Sequence, residues 1–408
     1  MPITEALAAD VVALRRELHG HPEIGLHLPR TQAAVLARLG RVAALAGEGN
    51  LEVSTGRELS SVVAVLRGGA PLPPGTRRPV VLLRGDMDAL PVREETGLPY
   101  APAEPGAMHA CGHDLHTAGL YGALAHLAEH RDELVADVVG MFQPGEEADG
   151  GALPMIEEGL LHAAGVPVDF AYALHTSAAK YPRGVFAARP GTMQSSCDDL
   201  IVTVLGRGGH GSTPQLTQDP VPVAAQMVLA LQGLVTRQFD VFDPVVVTVG
   251  RLTAGTASNI IPDTAELAIT MRSFSAAARE RLLPAVDRLV RGIADAHGMG
   301  VATRVDCAFP VTVNDAAQTA YARGVIEGLF GAGAYLELDA PASGSEDFSE
   351  VLDRVPGAYL MYGAAPLDVD YRESPTNHSA GVRFDDAVLP RAVEALAGFA
   401  LGKGPVAL

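Results

Sequence analysis

Cys111 and His113 stand two residues apart in Met108-His109-Ala110-Cys111-Gly112-His113-Asp114-Leu115-His116. On an extended segment, side chains at that spacing point the same way. Thiolate and imidazole are both ligands for zinc and its neighbours in the transition series, and Gly112 lets the backbone turn tightly between them. Two other readings stand beside metal binding. One is a cysteine-nucleophile hydrolase. The other is a helix start at Leu115 with Asp114 as its N-cap. A second chemical element is Glu146-Glu147, which follows a Gln-Pro-Gly turn after a buried strand. Two charges there are costly without a use. A metal ligand beside a free general base is such a use, because neighbouring side chains cannot both face one ion. His175 at a strand end, His378 in Thr376-Asn377-His378-Ser379, and Asp86 and Asp88 on a strand-end turn are further candidates. For the two acids the choice lies between turn chemistry and support of a ligating histidine.

The elements that must carry these residues alternate between strand and helix. Residues 4–19 have helical periodicity, with Leu7, Val11, Leu14 and Leu18 on one face and Arg15, Arg16 and His19 on others. Strands are expected at 61–66, 79–84, 137–142 and 170–174, and a helix at 115–130. Three of these strands run into polar, chemically capable residues, and ligand sites of open α/β sheets lie at strand carboxyl ends. After about residue 190 the order becomes β-α-β-β-α-β, the ferredoxin-like plan. Helices at 316–330 and 386–401 close the chain. The expected architecture is an α/β catalytic domain, 1–190 and 308–408, with a mixed sheet flanked by helices. An α+β domain, 191–307, is inserted in it. Gly206-Arg207-Gly208-Gly209-His210-Gly211 fits G-x-G-x-x-G, but Pro214, Pro220 and Pro222 follow, so no helix opens where a pyrophosphate would sit.

The 408 residues carry 30 basic and 48 acidic side chains, a net charge of −18, and 48% are hydrophobic. That apolar fraction excludes disorder, and the acidity disfavours nucleic acid. Only Lys180 and Lys403 are lysines. No apolar run is long enough to span a bilayer. Glu5 and Asp10 interrupt what would be a signal peptide. Three cysteines, Cys111, Cys197 and Cys307, are too few and odd in number for a disulfide framework, so a reducing cytoplasm is expected.

Taken together, RRELHGHPE (15–23), LLRGDMDALPV (82–92), MHACGHDLHT (108–117), FQPGEE (142–147), ALH (173–175), GRGGHGSTP (206–214), NIIPD (259–263), Arg272 and GSEDFS (344–349) resemble the amidohydrolase branch of the dinuclear-metal aminoacylase and carboxypeptidase family. Hippurate hydrolases, indoleacetyl-amino-acid hydrolases and N-acetyl-diaminopimelate deacetylases belong to that branch. The resemblance implies two divalent ions per subunit, Zn²⁺ or Mn²⁺ with Co²⁺ or Ni²⁺ as further options. Cys111, His113, Glu147, His175 and His378 would be the ligands. It implies Glu146 as general base and Asp88 as the carboxylate that orients the site. His210 would be lent to the active site by the inserted lid and dimerisation domain of a second subunit. Asn259 and Arg272 would hold the substrate carboxylate, and the Gly344 backbone would line the pocket. The implied activity is hydrolysis of N-acyl amino acids by a homodimer without membrane or nucleic-acid partners. A non-catalytic binder of amino-acid conjugates and a dipeptidase or carboxypeptidase are the alternatives. The chain departs from the family pattern at Asn377-His378-Ser379-Ala380, where Leu-His-Ser-Pro is usual, and at Gly145, where Ala is common.

Overall fold

A computed structural model describes residues 2–147 and 150–407; the side chains of 307 and 308 lie outside the described set. The chain divides into two compact units. The first holds Met1–Gly191, Val313–Ala340 and Glu350–Leu408; the second holds Thr192–Thr312 and Pro341–Ser349.

The first unit is built on an eight-stranded mixed sheet. Its order is Leu51–Thr55, Val62–Leu66, Asp137–Gln143, Val80–Asp86, Phe170–Ser177, Gly357–Gly363, Phe186–Ala188 and Tyr335–Glu337. The central strands 137–143, 80–86, 170–177 and 357–363 are mutually parallel. They read as continuous apolar runs because both faces are covered, and all seven residues of 80–86 are buried. The His113–Glu129 helix packs against the Glu5–His19, Pro29–Ala46 and Leu389–Leu401 helices as well as the sheet. It is buried all round, from His113 to Ala128, which is why it shows almost no amphipathic stripe.

That helix begins two residues earlier than the sequence indicates. Its N-cap is Gly112, at φ +86°. A Cβ at Gly112 would lie 2.3 Å from Thr176 Oγ1, so both the left-handed backbone and the close approach require glycine. Asp114 is therefore not the N-cap but sits inside the first turn, paired with Arg15 at 2.9 Å. Arg15 and His19, which the periodicity puts on faces other than that of Leu7, Val11, Leu14 and Leu18, are not thereby exposed. Both are buried. Arg15 also reaches Asp386 at 3.0 Å and Tyr100 Oη at 2.7 Å, and His19 lies 2.7 Å from Asp114 and 3.1 Å from Glu94.

The second unit has a four-stranded antiparallel sheet ordered Val245–Ala254, Thr264–Ser273, Cys197–Leu205 and Gly300–Phe309. The Pro220–Gln238 and Ala276–Ala296 helices pack on it. With the strands in chain order this is the 4-1-3-2 arrangement that a β-α-β-β-α-β chain produces. Strand 264–273 alternates, burying Ala265, Leu267, Ile269 and Met271 against the helices.

Candidate metal centre

Three parallel strands deliver their carboxyl ends to one place in the first unit. Strand 80–86 leads into Asp88, strand 137–143 into Glu146 and Glu147, and strand 170–177 carries His175 near its end. The Gly112 turn supplies Cys111 and His113. His378 arrives on a loop where its φ is +71°, the single non-glycine residue with positive φ among those described. Its N–H donates to the Ala110 carbonyl at 2.9 Å, tying that loop to the Cys111 segment.

The donor atoms converge. Cys111 Sγ lies 3.3 Å from His175 Nε2 and 3.2 Å from His378 Nε2. His378 Nε2 is 3.3 Å and His113 Nε2 3.6 Å from Glu147 Oε1, and His113 Nε2 is 3.9 Å from Glu146 Oε2. Overlapping donor groups result, among them Cys111–His113–His175, Cys111–Glu147–His378 and His113–Glu146–Glu147. His113 Nε2 and Glu147 Oε1 are buried with no hydrogen-bond partner among the described residues. Buried polar atoms normally have one. A divalent cation among a thiol, imidazoles and carboxylates satisfies both, so the residues present fit such an ion.

Several of the candidate ligands are held from behind. Asp88 Oδ1 is 3.3 Å from His113 Nδ1 and its Oδ2 accepts from the Glu147 N–H at 3.0 Å, so one carboxylate contacts two candidate ligands. His175 Nδ1 meets the Thr176 carbonyl at 2.9 Å, turning Nε2 toward Cys111. His116 was given no role by the sequence; its Nδ1 is 2.6 Å from Asp86 Oδ1 and its Nε2 accepts from the Thr176 N–H at 2.8 Å. Its position three residues after His113 on one helix was the available signal. Asp86 is fully buried; the Arg84 guanidinium and the two histidines overcome its burial and hold its carboxyl well below the usual range.

The electrostatics are those of a cation site. Burial pushes the Cys111 thiol up and the His175 imidazole well down. Cys111 and Glu147, 3.2 and 3.3 Å from its Nε2, push His378 up to about 10. Burial raises Glu147, but the neighbouring His378 and His113 imidazoles leave it below the usual range. A cation and a proton compete for the same His378 nitrogen, so metal uptake is coupled to proton release.

Asn377 is a component the sequence marked only as a departure from pattern. Its Nδ2 donates to the Thr176 carbonyl at 2.9 Å and the Cys111 carbonyl at 3.3 Å, and its Oδ1 accepts from the Ala178 N–H at 3.1 Å. One amide thus joins the segments bearing Cys111, His175 and His378. Asn377→Leu is expected to weaken metal affinity about 10–100-fold, the range for residues that hold metal ligands in place. Titration with a competing chelator reads this out, and unchanged affinity would reduce Asn377 to loop packing.

The remaining sequence candidates lie in the second unit. His210 and Asn259 are neighbours: Gly211 N–H donates to the Asn259 carbonyl at 2.9 Å. His210 Nδ1 accepts from the Ser212 N–H at 3.1 Å, which leaves the proton on Nε2. Arg272 Nη1 donates to Ser345 Oγ at 3.2 Å, beside Gly344, whose carbonyl accepts from Ser195 N–H at 3.0 Å.

A mixed α/β sheet whose parallel strands lead into carboxylates and an imidazole, with a thiol and two further imidazoles converging on them from adjoining turns, is the framework of a metal-dependent hydrolase. The chain belongs to peptidase family M20/M25/M40, whose model matches residues 82–402. It is 34% identical over 374 residues to thermostable carboxypeptidase 1 of Saccharolobus solfataricus, covering 89% of this chain and 90% of that protein. It is 34% identical over 313 residues to the N-acyl-L-amino acid amidohydrolase of Geobacillus stearothermophilus, covering 76% and 80%. A solved Bacillus subtilis protein, described as a dinuclear metal binding peptidase of the M20 family, superposes with a TM-score of 0.78 at 28% identity over 98% of both chains. The chain is a metal-dependent amidohydrolase that binds divalent metal. No helix among the described residues is long and apolar enough to cross a membrane.

Proposed function

We propose that this protein hydrolyses the amide bond of N-acyl amino acids, releasing a carboxylic acid and an amino acid. The observation that carries the reading is the convergence of Cys111, His113, Glu147, His175 and His378 beside Glu146. These five side chains would hold two divalent ions, Zn²⁺ or Mn²⁺. The chemistry supplied there is Lewis acidity toward the amide carbonyl and acidification of water. Glu146 takes the proton of the attacking water and delivers it to the amine nitrogen, which leaves poorly unprotonated. Asp88 keeps His113 and Glu147 in place meanwhile. His210, with its proton on Nε2, donates to the developing oxyanion. Arg272 forks onto the free carboxylate of the amino-acid half, Asn259 assists it, and the Gly344 backbone lines the pocket. In this reading residues 191–307 act as the lid and dimerisation domain of a cytoplasmic homodimer.

The carboxypeptidase-named relative favours one second reading, hydrolysis of short peptides. Both substrates present a free carboxylate, so a turnover screen of metal-reconstituted enzyme on N-acyl amino acids and dipeptides separates them. Preference for N-acyl substrates is expected. Turnover of neither class above the Glu146→Gln background would overturn the proposal.

Metal removal gives a sharper expectation. Chelation abolishes turnover and re-addition of divalent metal restores it, while Cys111→Ser retains little metal and little activity. Metal content and rate are measured on the same samples. A holoenzyme inactivated by thiol alkylation with accumulation of an acyl-thioester would instead make Cys111 the nucleophile.

A further inference from the structure

The His113–Glu129 helix carries ligand-type residues at both ends. At its far end the sequence reads His126-Leu127-Ala128-Glu129-His130, an H-x-x-E-H spacing. Residues four apart on a helix lie one turn above each other on one face. Here the two imidazole rings are 4.4 Å apart between centroids. One donor atom each from His126, Glu129 and His130 lie within 4.8 Å of one another. We propose that these three residues form a separate binding site for a divalent cation of the zinc type, outside the hydrolytic centre.

Three further features favour a cation there. His130 Nδ1 lies 2.9 Å from the His126 carbonyl. A carbonyl only accepts, so Nδ1 carries the proton and Nε2 presents its lone pair, the ligating tautomer. His130 is also the C-cap, where the preceding carbonyls make the helix end negative and favour a cation. Glu129 is exposed and His126 buried, so a bound ion has an anionic entrance and an anchored inner ligand. Two imidazoles and one carboxylate match zinc better than magnesium or calcium, which prefer all-oxygen sites. The helix rise separates His130 from His113 by about 25 Å, so no residue is shared with the hydrolytic centre. An ion bridging the last turn would pin the helix end before the Arg131–Glu133 turn.

The test compares full-length wild type with His130→Ala, both dialysed to equilibrium against micromolar Zn²⁺. Because His126 is buried, its removal perturbs packing, and the half-buried His130 and exposed Glu129 are the informative positions. Wild type is expected to hold one Zn²⁺ per chain more than His130→Ala, with equal turnover, and Glu129→Gln to bind that extra ion more weakly. Excess Zn²⁺ should raise the thermal midpoint of wild type further than that of His130→Ala. Equal zinc content in wild type and His130→Ala overturns the proposal. Loss of one equivalent together with turnover also overturns it, by assigning that ion to the hydrolytic centre. The comparison is a difference in stoichiometry and does not depend on which substrate the enzyme takes.

Discussion

Glu146→Gln is expected to lower kcat by about 10²–10⁴-fold, the contribution of a positioned general base, while leaving metal content unchanged. The two adjacent glutamates differ in what they face. Glu147 Oε1 approaches both His378 and His113 and shares a donor group with Cys111. Glu146 Oε2 lies 3.9 Å from His113 Nε2, and the residue is 8% exposed. Those surroundings suit the proposed division of labour, with Glu147 as a metal ligand and Glu146 as the base. Glutamine keeps the shape of Glu146 and removes its capacity to accept a proton. Glu147→Gln removes a ligand charge and should lose metal as well as rate. Metal content and kcat measured on both variants separate the roles. Unchanged turnover in Glu146→Gln, or metal loss equal to that of Glu147→Gln, would remove the base assignment.

Much of this site was legible because its residues sit in short local patterns. Cys111 and His113 share one turn, Glu146 and Glu147 are adjacent, and His175 follows an apolar run that can only be a buried strand. Strand ends in a parallel sheet then bring such segments together. What stayed hidden depends on contacts between distant segments. The Pro29–Ala46 helix buries Thr31, Val35, Leu39, Val42 and Ala46, a regular stripe diluted by alanines and arginines. Strand Gly357–Gly363 lies between strands 170–177 and 186–188, yet glycines at both ends make it read as a loop. A Cβ at Gly357 would come 2.1 Å from the Ala171 carbonyl, so glycine there records close backbone approach. Ser345 reaches Arg272 from 73 positions away, a pairing that no local pattern encodes. The role of Asn377 depends on three backbone groups from two other segments.

The largest stability effect belongs to Arg15, a charged residue whose burial the helical periodicity did not reveal. Arg15→Met is expected to destabilise the first unit by about 3–5 kcal/mol, the cost of leaving one member of a buried ion pair without its partner. Both side chains of the Arg15–Asp114 pair are fully buried. Burial opposes the charge on Asp114, and Arg15, followed by His19, holds its carboxyl far below the usual range. Methionine keeps the unbranched stem and deletes the charge, so the loss measured is electrostatic more than packing. His19 remains 2.7 Å from Asp114 and must then carry the compensation alone. Adding Asp114→Asn should recover part of the loss, since the stranded charge goes with it. Asp114 follows His113 in the first helical turn, so the same ion pair fixes the start of the helix that presents this candidate ligand. Denaturant unfolding of the single and double variants supplies the comparison. A loss below about 1 kcal/mol, as for an exposed pair, would mean that Asp114 is neutralised from elsewhere and that Arg15 does not anchor this helix.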